Sequence, residues 1–207
     1  TFTASQDFFG SETFTATVSD DEYSALQEFT VTVNAVNDAP TLAEVDTVNF
    51  DEDGSTSITL VGSDIDTDEE DLAYSVSGGS VETVTASLAG DTIEFTAAPN
   101  YNGSETFTAT LTDGEFVASQ SFTVTVNAVN DAPTLAAVEA VSFAEDGSTS
   151  ITLSGSDIDS SDLTYAITGG SEITATLVGS TITFTASQDF FGSETFTATV
   201  SDDEYSA

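Results

Sequence analysis

The chain has 207 residues, of which 37 are acidic, and it contains no Lys, Arg, His, Cys, Met or Trp. A net charge of −37 excludes direct electrostatic binding to nucleic acid and a polybasic membrane tether. The missing residue types exclude disulfides, thiolate or imidazole metal sites and most general bases. They leave hydroxyl, amide and carboxylate oxygens, which bind hard cations, above all Ca²⁺.

Apolar residues make up 39% of the chain and include 15 Phe, which is too much for a disordered acidic tail. Thr and Ser, rather than Glu and Lys, fill the polar positions, and no segment shows the i, i+3, i+4 apolar spacing of a helix. No stretch approaches the roughly 20 apolar residues of a membrane span. The composition therefore predicts an all-β chain.

The sequence repeats itself at two levels. Thr1–Ala25 recurs letter for letter as Thr183–Ala207, and within that long period Phe2, Phe95 and Phe184 begin equivalent segments. The steps between these Phe residues are close to 90 residues, which is about the length of one β-sandwich domain and too long for one coil of a solenoid.

A second exact repeat marks the ends of the modules. The stretch FTVTVNAVNDAPTLA occupies Phe29–Ala43 and again Phe122–Ala136. Its first half alternates apolar and polar residues like a strand with one buried face, and its second half contains a Pro that cannot continue a strand ladder. We therefore divide the chain into the end of one module (1–40), a complete module (41–133) and a module without its last strand (134–207).

The complete module shows seven short alternating segments separated by turn sequences such as Asp53-Gly54 and Asn102-Gly103. This pattern predicts a seven-stranded Greek-key β-sandwich, repeated in a linear array. The strands are predicted near 47–51, 55–61, 72–77, 81–88, 91–97, 104–112 and 117–127. The predicted core face consists of Val48, Phe50, Ile58, Leu60, Tyr74, Val76, Ile93, Phe95, Phe107, Leu111, Phe122, Val124 and Val126.

The module 134–207 stops after its sixth predicted strand, and the sequence of the missing strand is the one seen at 26–34. Either continuing chain or another copy supplies it, and another copy would bring a duplicate of Thr1–Ala25 that competes for one position. The sequence also begins within a strand pattern and without Met. We therefore expect a window of a longer continuous chain, in which a signal peptide would not be visible.

Acidic and amide side chains recur at matched positions in the two modules. Asp-x-Asp places two carboxylates on one side of an extended chain, which favours one shared cation. The predicted clusters are Glu52 with Asp53 and Glu145 with Asp146; Asp64 with Asp66 and Asp157 with Asp159; Asp113 with its counterparts Asp20 and Asp202; and the junction residues Asn34, Asn37, Asp38, Asn127, Asn130 and Asp131.

Two simpler interpretations remain beside the metal. Asp-Gly and Asn-Gly form turns without any metal, and acidic loops are commonly just solvated, as we expect for Asp68, Glu69 and Glu70. The run Thr106, Thr108 and Thr110 suggests an ice-binding face, although alternating Thr is more often the water side of a strand.

The sequence resembles cadherin-type repeats, and above all the bacterial cadherin-like modules of large surface adhesins. The resemblance covers essentially the whole chain and rests on VNDAP at 36–40 and 129–133, PNYNGSETFTATLTDG at 99–114 and DFFGSETFTATVSDD at 189–203. Cadherin linkers read Asp-x-Asn-Asp-Asn-Ala-Pro, and the leading Asp is Asn34 here. The family's Leu-Asp-Arg-Glu motif is absent, with Asn100-Tyr-Asn102 or Asp189-Phe-Phe near its place.

The resemblance implies Ca²⁺ at the junctions, with ligands carried over position by position. The junction at 133 is then predicted to use Glu52, Asn127, Asn130, Asp131, Asp157, Asp159 and Asp202. The junction at 40 is predicted to use Asn34, Asn37, Asp38, Asp64, Asp66 and Asp113. Glu145 matches the family's base glutamate in the last module.

Together these features predict an extracellular or cell-surface rod of tandem sandwiches, stiffened by Ca²⁺, in a bacterial adhesin, matrix fibre or filament. Its partners are predicted to be neighbouring modules of the same long chain, with lateral self-association left open. The alternative is a sandwich whose loops bind glycan or another surface, although no Trp is present for stacking on sugars. Paired carboxylates also hydrolyse glycosides, but these pairs repeat at module ends without an evident cleft, so no enzyme is expected.

Overall fold

The computed structural model describes residues 1–207, and it is an all-β structure with one short 3-10 helix at Glu69–Asp71. The β-sandwich prediction is confirmed. No helix is long and apolar enough to cross a membrane. The strands are β1 (Gly10–Ser19), β2 (Ser24–Val33), β3 (Thr41–Leu42), β4 (Val48–Asp51), β5 (Ser55–Thr59), β6 (Gly62–Ser63), β7 (Ala73–Gly78), β8 (Val84–Ala89), β9 (Thr92–Ala97), β10 (Gly103–Thr112), β11 (Val117–Asn127), β12 (Thr134–Leu135), β13 (Ser148–Thr152), β14 (Gly155–Ser156), β15 (Thr164–Gly169), β16 (Ile173–Val178), β17 (Thr181–Ala186) and β18 (Phe196–Ser201).

The chain divides into two compact units, a first unit (Thr1–Ala128) and a second unit (Val129–Ala207). The first unit contains a sandwich made of a four-stranded sheet, β4-β11-β10-β7, and a three-stranded sheet, β5-β9-β8. The pair β4 and β11 is parallel and the remaining pairs are antiparallel. The two-residue strands β3 and β6 form a separate small pair.

The core of this sandwich lies on the predicted face, because alternate residues of each strand point to one side. Ile93, Phe95 and Phe107 are fully buried, and the other predicted core positions are buried or half-buried. The ring of Phe107 packs against Phe95 and Phe122 with centroid distances of 5.1 and 6.1 Å. Phe95 and Phe122 are themselves 5.9 Å apart, so three strands of two sheets meet at one aromatic cluster.

Two strand boundaries differ from the prediction by two residues or more. The strand predicted at 81–88 begins only at Val84, because Ser80 forms a turn: its hydroxyl accepts the Glu82 N–H and its carbonyl accepts the Thr83 N–H. The strand predicted at 55–61 ends at Thr59, since the chain then pairs with a different partner through β6.

The first unit also carries an N-terminal hairpin, in which β1 and β2 pair over ten residues from Gly10↔Val33 to Ser19↔Ser24. Phe2, Phe14 and Phe29 form a ring cluster with centroid distances of 4.9, 5.8 and 6.0 Å. These distances nearly match those of the complete sandwich. The hairpin therefore keeps the aromatic arrangement of a full module.

The second unit contains the sheet β13-β17-β16 and the pairs β15-β18 and β12-β14. No strand forms at 141–143, although its sequence matches β4, because β4 pairs with β11 and the second unit has no counterpart of β11. For the same reason β18 begins at Phe196, whereas the identical sequence in the hairpin is a strand from Gly10 onward. Identical sequences thus form strands of different length, and the available partner decides which.

Candidate metal site in the acidic loops

Two aspartates build the loops of the first unit by accepting main-chain hydrogen bonds. Asp64 follows β6, and its Oδ1 accepts the N–H groups of Asp66 and Thr67 at 2.8 and 2.9 Å. Asp113 follows β10, and its Oδ1 accepts the N–H groups of Glu115 and Phe116 at 2.7 and 2.6 Å. Each turn uses one carboxylate oxygen and fixes the position of the other.

The same loops hold the linker that precedes β3. Asn37 donates from Nδ2 to Oδ2 of Asp113 at 2.8 Å, and the main-chain N–H of Asp38 donates to Oδ2 of Asp66 at 2.8 Å. The structure therefore brings Asn37, Asp38, Asp64, Asp66 and Asp113 together, and their role as metal ligands stays a prediction.

The second unit repeats this arrangement. Asn130 donates from Nδ2 to Oδ2 of Asp202 at 2.7 Å, and the Asp131 N–H donates to Oδ2 of Asp159 at 2.8 Å. Oδ1 of Asp157 accepts the N–H of Asp159 at 2.8 Å, as Asp64 does for Asp66. The same hydrogen bonds therefore connect the linker to the acidic loops in both sites.

One carboxylate oxygen in each site is left without a hydrogen bond. Oδ2 of Asp64 and Oδ2 of Asp157 are buried and have no hydrogen-bond partner. Burying a charged oxygen in this way is unfavourable unless another positive or donor group compensates it. A bound cation is the compensation that a chain without Lys, Arg or His can accept.

The negative charges around the linker also repel one another. The pKa of Asp38 is raised, first by desolvation and then by the negative charges of Asp66, Asp7 and Asp64. Like charges that cannot separate favour the neutral acid, and a bound cation reverses that preference. The first site is therefore an acidic cluster with unrelieved repulsion.

Asp113 and Asp202, in contrast, have lowered pKa values. The pKa of Asp202 is lowered by the N–H of Tyr205 and by the Asn130 side chain. At Asp113 desolvation works against ionisation, but the N–H groups of Glu115 and Phe116 outweigh it and lower the pKa. Both groups are thus held as carboxylates, which is the form that binds a metal.

Asp7 belongs to this cluster and was missed by the sequence analysis. It lies before β1, and its charge raises the pKa of Asp38. The signal was present, because Asp7 is equivalent to Asp189 and Asn100, the positions near the place of the absent Leu-Asp-Arg-Glu motif.

The remaining predicted ligands have different surroundings. Glu52 is 5% exposed, and its N–H donates to the Asn127 carbonyl at 3.0 Å, while Nδ2 of Asn127 donates to Asp51. Glu145 is exposed, because no strand pairing encloses its segment in the second unit, and Asn34 is exposed as well. The ligand roles of these residues, like those of all the predicted ligands, stay predictions.

The acidic side chains do not form a complete metal centre by themselves. No group of three or more carboxylates is arranged so that it could hold a metal ion. Asp53, from the first predicted cluster, has a structural contact instead, since its Oδ1 accepts the Asn100 N–H at 3.1 Å. A cation at these sites would need amide and main-chain oxygens beside the carboxylates, and oxygen donors of all three kinds suit Ca²⁺.

Comparison with known families agrees with the architecture. The family described as Bacterial Ig domain matches residues 37–127 and again residues 130–206. The chain belongs to the bacterial Ig domain family. The two matches are tandem copies of this Ig-like domain. The narrower assignment to VNDAP-type adhesin modules stays a prediction. Comparison with curated proteins gave no match.

Solved structures similar to this bacterial Ig chain include three multidomain proteins. An endo-fucoidan hydrolase of glycoside hydrolase family 107 is 17% identical, with a TM-score of 0.35 over 97% of this chain and 33% of that chain. The titin domains Z1Z2 are 12% identical, with a TM-score of 0.38 over 84% and 94% of the two chains. Human protocadherin-24 EC1-2 is 16% identical, with a TM-score of 0.47 over 80% and 87%. The chain thus spans about one third of the hydrolase, and similarity at this level carries no argument about function.

Proposed function

We propose that this chain is a spacer segment of an extracellular, Ca²⁺-stiffened bacterial stalk or fibre that serves adhesion or a matrix scaffold. Its tandem bacterial Ig domains, its wholly acidic composition and the repeated linker sequence support this role. In this proposal the sandwiches act as rigid bodies, and the linkers at 34–40 and 127–133 are the points where Ca²⁺ controls bending.

The observation that carries the proposal is the buried, unpartnered Oδ2 of Asp64, repeated at Asp157. Asp64 and Asp157 each share a loop with a second aspartate, Asp66 or Asp159. That second aspartate accepts a hydrogen bond from a main-chain N–H of the linker. A cation drawn to the unpartnered oxygen therefore acts on the same loop that fixes the linker.

The residues of the first site would supply different kinds of oxygen ligand. Asp64 and one further carboxylate, Asp66 or Asp113, would supply carboxylate oxygens, and Asn37 and Asp38 would supply amide and main-chain oxygens from the linker. Ca²⁺ would provide the positive charge that the chain lacks. The loops after β6 and β10 orient Asp64 and Asp113 through their main-chain hydrogen bonds.

Thermal melts with and without Ca²⁺ test the proposal. With an affinity on the order of 10⁻⁴–10⁻³ M, as for other extracellular modules, a tenfold excess of Ca²⁺ over Kd stabilises the folded state by about 1.4 kcal/mol. We expect the double variant Asp64→Asn and Asp157→Asn to lose most of this gain. Small-angle scattering should show added bending in the variant at saturating Ca²⁺.

The matched control is the double variant Asp68→Asn and Asp162→Asn. Both control residues are exposed, and the two variants remove the same amount of charge. If both variants respond to Ca²⁺ like the wild type, the effect is general charge screening and the specific sites are refuted. No change in melting temperature of the wild type at millimolar Ca²⁺ also refutes them.

A further inference from the structure

The outward side of the four-stranded sheet in the first unit carries hydroxyl groups. Alternate residues of β7, β10 and β11 point into the core, so the residues between them point outward. Strand pairing arranges these outward residues in rows, such as the row of Ser77, Thr108 and Ser121. We call this surface the hydroxyl face, and it consists of Ser75 and Ser77, every second residue from Ser104 to Thr112, and every second residue from Ser119 to Thr125.

The hydroxyl face contains no acidic residue, although 37 of the 207 residues are acidic. The outward side of this sheet has one carboxylate, Asp51 on the edge strand β4, and its Oδ1 accepts a hydrogen bond from Asn127 at 3.0 Å. The strand pairing itself does not forbid a charge here. In the hairpin, Glu28 of β2 lies opposite Thr15, at the position that Ser121 takes in β11. The absence of charge is therefore a property of this face and not a requirement of the fold.

We propose that the hydroxyl face binds the same face of a second copy of the chain, so that copies associate side by side. This association does not depend on the Ca²⁺ sites. The first argument is electrostatic. Each copy has a net charge of −37 and no Lys, Arg or His, so no surface of one copy attracts the carboxylates of another. Because like charges placed opposite each other cost several kcal/mol, two copies can pack closely only where both surfaces lack carboxylates. A cationic partner would instead bind the acidic loops.

The second argument is the low cost of removing water from this face. Several of its hydroxyl groups already bond to one another across the strands. Oγ of Ser104 lies 3.1 Å from Oγ1 of Thr125, and Oγ1 of Thr108 lies 3.2 Å from Oγ of Ser121. A buried hydroxyl that keeps a hydrogen bond costs far less free energy than a buried carboxylate. The Thr methyl groups add apolar area, whose burial favours the contact.

The area of the hydroxyl face limits the strength of the contact. Strand β10, at its centre, has ten residues. With a rise of about 3.4 Å per residue and a spacing of about 4.8 Å between strands, three strands present at most roughly 500 Å² per copy. A pair would bury about 1,000 Å² in total, which is the lower end of specific interfaces. The association is therefore weak and reversible, and it has to be measured at high protein concentration.

Sedimentation over a wide concentration range, with a chelator and added NaCl, provides the first test. We expect the 207-residue chain to associate, and Ser121→Glu to weaken this association at least about tenfold, which corresponds to about 1.4 kcal/mol. The sheet should accept this residue, since Glu28 has the equivalent position in β2. The matched control is Ser55→Glu, on the outward side of β5 in the opposite sheet. Ser55 is exposed and the added charge is the same, so this variant should associate like the wild type.

A chain without cysteine also allows a spin label to be attached at one chosen position. Ser77 is exposed and lies at the edge of the hydroxyl face, on β7. A nitroxide on Ser77→Cys should show dipolar coupling to the label of a second copy, and the coupling should increase with protein concentration. The same label on Ser55→Cys, on the opposite sheet, should show none at equal concentration.

The outcomes separate the possible partners of the hydroxyl face. Coupling between labels on Ser77→Cys but not on Ser55→Cys supports the proposal, even if Ser121→Glu proves to unfold its sandwich. Equal coupling at both positions overturns it, and so does equal association of the Ser121→Glu and Ser55→Glu variants. A wild-type chain that stays monomeric at all concentrations also overturns it, including the case in which the monomer slows the growth of ice crystals. Because a chelator is present throughout, failure of the Ca²⁺ sites leaves these outcomes unchanged.

Discussion

Replacing Phe by Ala at three equivalent positions tests how much the stabilising contribution of one Phe depends on the strands packed around it. Phe14, Phe107 and Phe196 share the context SETFTAT. Phe107 is fully buried between Phe95 and Phe122. Replacing a buried Phe by Ala costs about 3–5 kcal/mol through lost transfer free energy and the cavity left behind. We expect Phe107→Ala to lower the free energy of unfolding of its sandwich by this amount, a large part of its stability.

The same substitution should cost much less in the second unit. Phe196 is half-buried and contacts one ring of the cluster rather than two. Phe196→Ala removes about half as much buried apolar area as Phe107→Ala does, and the surrounding side chains can relax more easily. We therefore expect it to cost about 1.5–2.5 kcal/mol. Phe14→Ala should act on the hairpin alone.

Hydrogen exchange measured by mass spectrometry reports each effect locally. Peptides from Ala73–Gly78 and from Thr164–Gly169 are unique in sequence, so they distinguish the two sandwiches, whereas the duplicated ends of the chain do not. Equal losses for Phe107→Ala and Phe196→Ala would refute the inference that the difference in burial sets the cost.

Three further predictions follow from local contacts. Hydrogen bonds from the Ser171 hydroxyl and the N–H groups of Ser171, Ile173 and Glu172 lower the pKa of Glu194 to about 2. Its stabilising contribution is therefore complete above the ordinary value of 4.5 and is lost as pH falls toward 2, and Glu194→Gln should remove that pH dependence from acid melts. Gly79 and Gly90 both have φ +64°, but a Cβ on Gly79 would overlap the Val84 carbonyl oxygen and the Phe107 ring, while nothing lies within 4 Å of a Cβ on Gly90. Gly90→Ala should therefore cost about 1 kcal/mol of backbone strain and Gly79→Ala clearly more in urea unfolding; equal costs would contradict the packing. Added NaCl should raise the melting temperature, since 37 carboxylates repel one another without a cationic partner, and a fall would show that screening is not the dominant salt effect.

Most of the sandwich could be predicted because each long strand alternates strictly. Phe107 and Leu111 on one strand and Phe122 and Val124 on the next fix both the face and the register. The pair Thr41–Leu42 with Gly62–Ser63 could not be predicted, since two residues carry no period.

The candidate site was predictable where sequence spacing coincides with a turn. Asp64 and Asp66 share a loop, and the matching spacing in the second module pointed to Asp157 and Asp159. Asp7 was not predictable in this way, because it approaches Asp38 only through the fold and lies 31 residues away in the sequence. The exposure of Glu145 likewise depends on a strand pair rather than on its neighbours in sequence.

The parallel pair of β4 and β11 has a consequence when the chain is under tension. Strand β4 follows the linker at the start of the sandwich, and β11 leads into the linker at its end, with the pairs Val124↔Val48 to Asn127↔Asp51 between them. Pulling on the two linkers drags parallel neighbours in opposite directions, so their hydrogen bonds are loaded in shear and must break together rather than one by one. Resistance to stretching is therefore concentrated in these four residue pairs.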